Sequence, residues 1–203
     1  MTATKRAFDL LLALALLPVL LPLMLVVGAA ILIADGRPVL YRSERMRSPD
    51  RAFTLLKFRT MRGADDGRGV TGGDKAARIT PLGAFLRKKR LDELPQLFNI
   101  FAGDMSFVGP RPPLRRYVEA RPDLYAVVLL SRPGVTGLAT VVYSRHEEWL
   151  LARCETAEAT DRTYRCRCIP AKARLDLIYQ RHRSVCMDAK IIAMTLGAVF
   201  WRQ

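Results

Sequence analysis

Acidic residues are scarce in this 203-residue chain: 19 Asp and Glu stand against 33 Lys and Arg, a formal net charge of +14. The imbalance points to anionic partners, which are nucleic acid, an acidic membrane surface or a phosphorylated small molecule. Cysteine is also sparse. Cys154, Cys166, Cys168 and Cys186 all fall in the last quarter without the framework spacing of secreted mini-proteins, so they read as reduced cytosolic thiols. Cys166-Arg167-Cys168 with His146 or His182 lacks the usual knuckle spacing, and zinc is not expected there. No nucleic-acid fold signature accompanies the basic charge, so no nucleic-acid partner is expected. A hydrophobic content of 50% is high for a nucleic-acid binder and favours the membrane.

Charge is absent altogether from Leu10 to Ala34, a run that as a straight helix would measure about 37 Å, enough to cross a bilayer core. The run is too long for a cleaved signal peptide and has no small-x-small cleavage site. Lys5 and Arg6 precede it and Arg37, Arg42, Arg45 and Arg47 follow it, so the positive-inside rule asks for both ends in the cytoplasm. Pro18 and Pro22 fall mid-segment, where each removes a helix hydrogen bond. A helix that enters the membrane, turns at Pro22 and leaves by the same face satisfies both observations; a single-pass anchor is the alternative. Residues 1–36 form the expected membrane unit and 37–203 the expected membrane-associated catalytic unit.

What is present in density is cation around a pair of acids. In Arg87-Lys88-Lys89-Arg90-Leu91-Asp92-Glu93-Leu94-Pro95, two adjacent carboxylates enter a basic run. A basic pocket that holds a carboxylate is suited to phosphate. Pro95 is tolerated only in the first turn of a helix, which predicts a helix ending near Lys89 and another beginning near Asp92, with Gly103 as its stop. At such an N-cap, helix dipole and free N–H groups would keep Asp92 ionised, as nucleophile or metal ligand.

Around this centre the chain reads as α+β and mostly helical. Val39–Arg42 and Phe53–Arg59 predict a hairpin about Ser48-Pro49-Asp50, with Lys57 and Arg59 on one strand face as a candidate phosphate clamp. The Gly-rich stretch 62–78 lacks the order and final Lys of a Walker loop and reads as a surface loop or lid. Thr80-Pro81 opens a helix carrying Arg87. Arg111, among three prolines, is held on stiff backbone as an oxyanion ligand. Leu114–Ser131 reads as interfacial helices broken at Pro122, Arg132–Gly137 as a turn, Leu138–Tyr143 as β-rich, and Glu147–Ala159 as helical. A helix from Pro170 to about Arg181 and a last helix, Ala189–Trp201, capped by Asp188 and ending at the headgroup boundary, complete the chain.

Four motifs occur in one order: Lys57-Phe58-Arg59-Thr60-Met61, Leu91-Asp92-Glu93-Leu94-Pro95-Gln96-Leu97, Gly103-Asp104-Met105-Ser106-Phe107-Val108-Gly109-Pro110-Arg111-Pro112 and Arg132-Pro133-Gly134-Val135-Thr136-Gly137. With the N-terminal apolar segment, this resembles the small monotopic phosphoglycosyl transferases, the bacterial sugar-transferase family, from about Lys5 to at least Thr140. The resemblance implies transfer of sugar-1-phosphate from a UDP-sugar to undecaprenyl phosphate with Mg²⁺, releasing UMP and opening surface glycan (exopolysaccharide) synthesis. It implies a monotopic protein on the cytoplasmic face of the bacterial inner membrane, in contact with anionic lipids, with a helix break at Pro22; a homodimer is among the expected assemblies. It assigns Asp92 as the nucleophile that forms a covalent phosphosugar intermediate, Glu93 as its partner, and both as the Mg²⁺ site. Lys57, Arg87 and Arg111 match phosphate-neutralising positions, Arg59 joins them by strand face, and Arg132, Pro133, Gly134 and Thr136 supply the expected substrate-binding loop.

The chain departs from the family after Gly137, where Leu138-Ala139-Thr140-Val141-Val142-Tyr143 replaces a Gln-Val and Asn-Gly-Arg-type run. That difference bears on which sugar is recognised. Two rivals compete with the covalent reading: direct attack by the lipid phosphate in a ternary complex with the dyad only binding metal, and a membrane-tethered basic binding module.

Overall fold

The computed structural model describes residues 2–63 and 77–200, the last two as backbone. The lid expected within 62–78 and the headgroup contact of Trp201 and Arg202 therefore lie largely outside the described residues.

The apolar run forms one helix, α1 (Ala3–Ala34), whose hydrogen-bonded assignment continues across Pro18 and Pro22. Thr2 caps it by accepting from the Lys5 amide at 3.2 Å. Only 17% of its most apolar window is buried, while Leu11, Leu14, Val19, Leu25 and Val26 face outward, each more than half exposed. The inward stripe, Ala13, Met24, Val27 and Ile31, enters a core shared with Phe53, Leu55, Phe58, Leu86, Leu97 and Ile100. A polar exterior over a globular core would not leave so large an apolar face uncovered.

The hairpin forms as expected. Strands β1 (Leu40–Ser48) and β2 (Arg51–Phe58) pair antiparallel, with Tyr41 opposite Lys57 and an irregularity between Met46 and Ser48. Helix α2 (Pro81–Lys88) opens at Thr80, whose Oγ1 accepts from the Gly83 amide at 2.9 Å, as the Thr-Pro signal predicts. Helix α3 (Gln96–Ala102) stops at Gly103, which takes a left-handed φ of 83°.

The second half corrects the sequence reading in three places. The Arg132–Gly137 stretch is not only a turn: β4 (Gly134–Thr136) lies parallel to β3 (Ser106–Val108). Leu138–Tyr143 is helical, the start of α6 (Leu138–Leu151), because packing against the C-terminal helices outweighs its β-branched residues. The final helix α9 (Val185–Phe200) begins before Asp188, and Ser184 Oγ accepts from the Met187 amide at 3.2 Å in its place. Asp188 is instead buried. Helices α4 (Arg115–Ala120), α5 (Pro122–Val128), α7 (Ala157–Thr163) and α8 (Ile169–His182) fall close to expectation, with Pro122 opening α5, although the helix expected over 147–159 is divided between α6 and α7. A second core, including Met46, Tyr117, Tyr125, Leu150 and Ile169, lies among these helices.

Gly109 and Gly134 explain the two glycine-bearing motifs. A Cβ on Gly109 would strike the Arg132 carbonyl, and one on Gly134 would strike the Gly109 amide. Two backbones meet there with no room for side chains, and the contact fixes the segment that leads into Arg111.

Candidate active site

The local chain reversal that builds the site begins at Arg90. After α2 ends, Arg90 adopts a left-handed φ of 55°, uncommon for a residue with a side chain. A single 3₁₀ turn, Leu91–Glu93, follows. Asp92 is therefore not the helix cap expected from the sequence. Pro95 stands at the cap position of α3 rather than in its first turn.

Asn99 locks this turn to the hairpin. Its Oδ1 accepts from the Leu56 amide at 3.0 Å and its Nδ2 donates to the Thr54 carbonyl at 2.8 Å. These bonds place β2 beside α3, and Lys57, next in the strand, reaches the dyad.

Glu93 Oε1 accepts from Lys57 Nζ and from Arg111 Nη2, each at 3.0 Å. Arg90 Nη2 stands 3.7 Å from Glu93 Oε2, which is buried without a hydrogen bond. Burial works against ionisation of Glu93, but Lys57, Arg111 and Arg90 outweigh it and hold the carboxyl well below the usual range. Arg111 is raised in turn, chiefly by Glu93, and keeps 39% of its side chain exposed. Burial lowers the Lys57 ammonium, with Glu93 opposing.

Asp92 differs from its neighbour. Among the described residues its carboxylate makes no hydrogen bond or ion pair, although Lys57, Arg87 and Arg111 act on it through space. Burial raises its pKa, and the adjacent Glu93 charge adds to that against the pull of Lys57 and the arginines. Arg87 is braced beside it, donating from Nε to Thr60 Oγ1 at 2.9 Å. This leaves an unbonded carboxylate among cations that can also receive an anionic group.

The site also fits a divalent metal. Among the described residues no three His, Cys, Asp or Glu side chains gather at one point. Glu93 Oε2, which has no hydrogen bond, and the Asp92 carboxylate would be the protein's contribution to Mg²⁺, which characteristically takes one or two carboxylates and completes its shell with water and substrate phosphate.

The structure thus brings together Asp92, Glu93, Lys57, Arg87 and Arg111. It does not bring Arg59 to them. Both Arg59 Nη atoms are spent on backbone, Nη2 at 2.6 Å from the Asp35 carbonyl and 2.7 Å from that of Gly36, Nη1 at 3.1 Å from that of Arg37. Nor do Arg132, Pro133, Gly134 and Thr136 meet the dyad: Gly134 and Thr136 pair with β3, Thr136 Oγ1 contacts Thr195 Oγ1 at 2.7 Å, and Arg132 lines a separate cavity. Sequence reasoning missed Asn99, whose signal was a lone amide between the apolar Leu97 and Ile100. It also missed Lys172, Glu147 and Tyr164. Lys172 Nζ lies 2.8 Å from Glu147 and 3.4 Å from the Tyr164 hydroxyl, and the charges of this group reach Arg111.

The sequence model for the family described as bacterial sugar transferase matches residues 1–202. The chain belongs to that family. The resemblance drawn from the four motifs is borne out over the whole length. Relatives include a UDP-N-acetylgalactosamine-undecaprenyl-phosphate N-acetylgalactosaminephosphotransferase of Aeromonas hydrophila, 32% identical over 96% of this chain and 43% of that protein. A UDP-glucose:undecaprenyl-phosphate glucose-1-phosphate transferase of Caulobacter vibrioides is 40% identical over 68% of this chain and 53% of that protein. An uncharacterised sugar transferase, EpsL, of Bacillus subtilis is 33% identical over 96% and 86%. The chain spans about half the length of the first two, so this sugar-transferase unit corresponds to part of each.

Proposed function

We propose that this chain transfers sugar-1-phosphate from a UDP-sugar to undecaprenyl phosphate through a covalent intermediate on Asp92. The observation that carries the reading is the contrast within the dyad: Glu93 is tied to Lys57 and Arg111, while Asp92 beside it is free and surrounded by the same cations. In the first step an Asp92 oxygen attacks the sugar-bearing phosphorus, the bond to UMP breaks, and UMP leaves with the electron pair. In the second an oxygen of the lipid phosphate attacks the same phosphorus, the bond to Asp92 breaks, and the carboxylate is restored. Both reacting partners are anionic, so Lys57, Arg87 and Arg111 serve to offset their repulsion. Mg²⁺, when bound at Asp92 and Glu93, would add charge neutralisation on the diphosphate. Two steps suit substrates from two phases, since the soluble donor product can leave before the lipid arrives. Relatives named for N-acetylgalactosamine and for glucose both match this chain, so membership of the family is compatible with either sugar.

The reading includes a re-entrant α1 that keeps the site at the cytoplasmic headgroup level. Arg6 donates to the Ile100 and Phe101 carbonyls at one end of α1, and Arg59 holds Asp35, Gly36 and Arg37 at the other. Those anchors are neighbours through the Asn99 bridge between α3 and β2. A straight helix would separate Arg6 from Asp35 by about 44 Å. A bend at Pro18 and Pro22, the two prolines inside α1, would bring its ends closer and allow entry and exit on one face.

Trapping tests the chemistry. Donor labelled in its β-phosphate should leave label on the protein without lipid acceptor, and Asp92→Asn should abolish it. UMP release that strictly requires acceptor in a single turnover would instead favour the ternary complex.

A further inference from the structure

A cavity of about 240 Å³ lies apart from the dyad, and none of the residues that hold Asp92 or Glu93 lines it. The N-termini of two long helices converge on it. Thr2 and Thr4 bring the start of α1, and Ser184 and Val185 bring the start of α9. Unpaired backbone N–H groups and two helix dipoles therefore favour negative charge at this point.

The side chains agree with the dipoles. Arg132 lines the cavity and, among the described residues, has no hydrogen bond or ion pair. Burial, together with Arg47 and Arg6 nearby, depresses its guanidinium against the pull of Asp9 and Asp104. Arg47 is paired with Asp104 and Arg6 is bonded to the Ile100 and Phe101 carbonyls, so Arg132 is the cation of the three without a direct partner among the described residues. Arg183 adds a second cation at the rim. Ser131 is 3% exposed, lines the same space, and its Oγ is buried with no partner. A buried hydroxyl without a partner costs stability unless something fills the role.

The acid in the wall is bonded within the fold, through a Lys5 that also pairs with the buried Asp9. Asp188 accepts from Tyr179 at 2.6 Å and pairs with Lys5 at 2.7 Å, a bridge that joins the two helix starts. The space thus presents net positive charge, two helix N-termini and an unsatisfied hydroxyl. About two turns further along α1, Leu11 and Leu14 are 67% and 60% exposed, apolar surface along which acyl chains would lie.

We propose that this cavity binds a phosphate group, through Arg132, Arg183 and Ser131 and the N-termini of α1 and α9, as a second anion site separate from the dyad. Its occupant is either a phospholipid headgroup or free phosphate, which share this recognition chemistry. The proposal stands independently of the transfer reaction.

The test uses the full chain in detergent, titrated with inorganic phosphate by calorimetry, and the same chain in nanodiscs of phosphatidylcholine alone or with about a third phosphatidylglycerol, with bound lipid read by native mass spectrometry. Arg183→Glu, at an exposed position, and Ser131→Tyr, which fills the cavity, should each weaken binding roughly tenfold or more, whereas Lys57→Ala should not. Phosphate binding with no lipid preference assigns free phosphate; phosphatidylglycerol enrichment lost in Arg183→Glu assigns a headgroup. Binding lost only in Lys57→Ala would move the anion to the dyad and overturn the proposal. Absence of both phosphate binding and lipid enrichment would overturn it as well. If Ser131→Tyr does not fold, Arg183→Glu decides alone.

Discussion

Asp92 and Glu93 are neighbours in the chain with opposite electrostatic fates. Burial and the Glu93 charge raise the first, while Glu93, despite equal burial, is pulled well below its ordinary range by Lys57, Arg111 and Arg90. The partner that takes the direct bonds leaves the other with only through-space attraction from Lys57, Arg87 and Arg111, which desolvation and the Glu93 charge outweigh. One carboxylate of the pair is thus tied to its cations and the other is left without a direct bond among the described residues.

The stability consequences have opposite sign. A carboxyl raised on folding costs stability above its unfolded pKa, fully so once pH exceeds the folded value; a depressed carboxyl adds stability above its unfolded pKa that is lost as pH falls through the folded value. Asp92→Asn should therefore raise Tm at neutral pH, with the gain fading as pH falls towards the ordinary aspartate range, while lowering UMP release by at least about 10³-fold. Glu93→Gln should lower Tm at neutral pH, by about 2–4 °C for each kcal/mol lost, because the oxygen shared by Lys57 and Arg111 loses the negative charge that pairs with them. Thermal melts over a pH series check both.

Covalent labelling should depend on pH in the direction of the Asp92 shift. Only the ionised carboxylate attacks, so labelling rate should fall as pH drops through a value above the ordinary aspartate pKa of 3.8. Rapid-quench labelling at saturating donor would show an acid limb displaced upward; a limb at or below the ordinary value would contradict the burial described for Asp92.

Asn99→Ala should destabilise the fold by about 2–4 kcal/mol, since the Leu56 amide and Thr54 carbonyl each lose a partner. Activity should fall further than stability explains, because β2 carries Lys57. Chemical denaturation paired with donor kinetics on the folded fraction measures the two effects separately.

Arg59→Ala separates two roles for a cation that the sequence grouped with Lys57. With its guanidinium committed to Asp35, Gly36 and Arg37, its loss should lower Tm and loosen α1 while changing the donor KM less than about twofold. Lys57→Ala should instead change donor turnover by at least about tenfold. Equal KM increases in both variants would return Arg59 to the phosphate site.

Much of the first half was legible in order. Thr80-Pro81 opened a helix, Gly103 closed one, and two β-rich runs about Ser48-Pro49-Asp50 paired, because caps and turns are satisfied by their own neighbours in sequence. Leu138–Tyr143 misled because its β-branched residues state a weak preference that packing on α8 and α9 overrides. Asp92 misled in a different way: its carboxyl was expected to stay ionised at a helix cap, and a left-handed Arg90 put it into a 3₁₀ turn instead.

The sequence alone determined the parts with local causes: the uncharged run, the basic surroundings of two acids, the capped helix before them and the motifs that mark the family. Tertiary structure decided which cations meet which acid. Lys57 and Arg111 come from opposite sides of the dyad in sequence and converge on one oxygen of Glu93, Arg59 is drawn away to the end of α1, and Arg132 to a second cavity. Charge composition sets how many cations a chain has, but only long-range packing sets their distances, and electrostatic energy depends on distance.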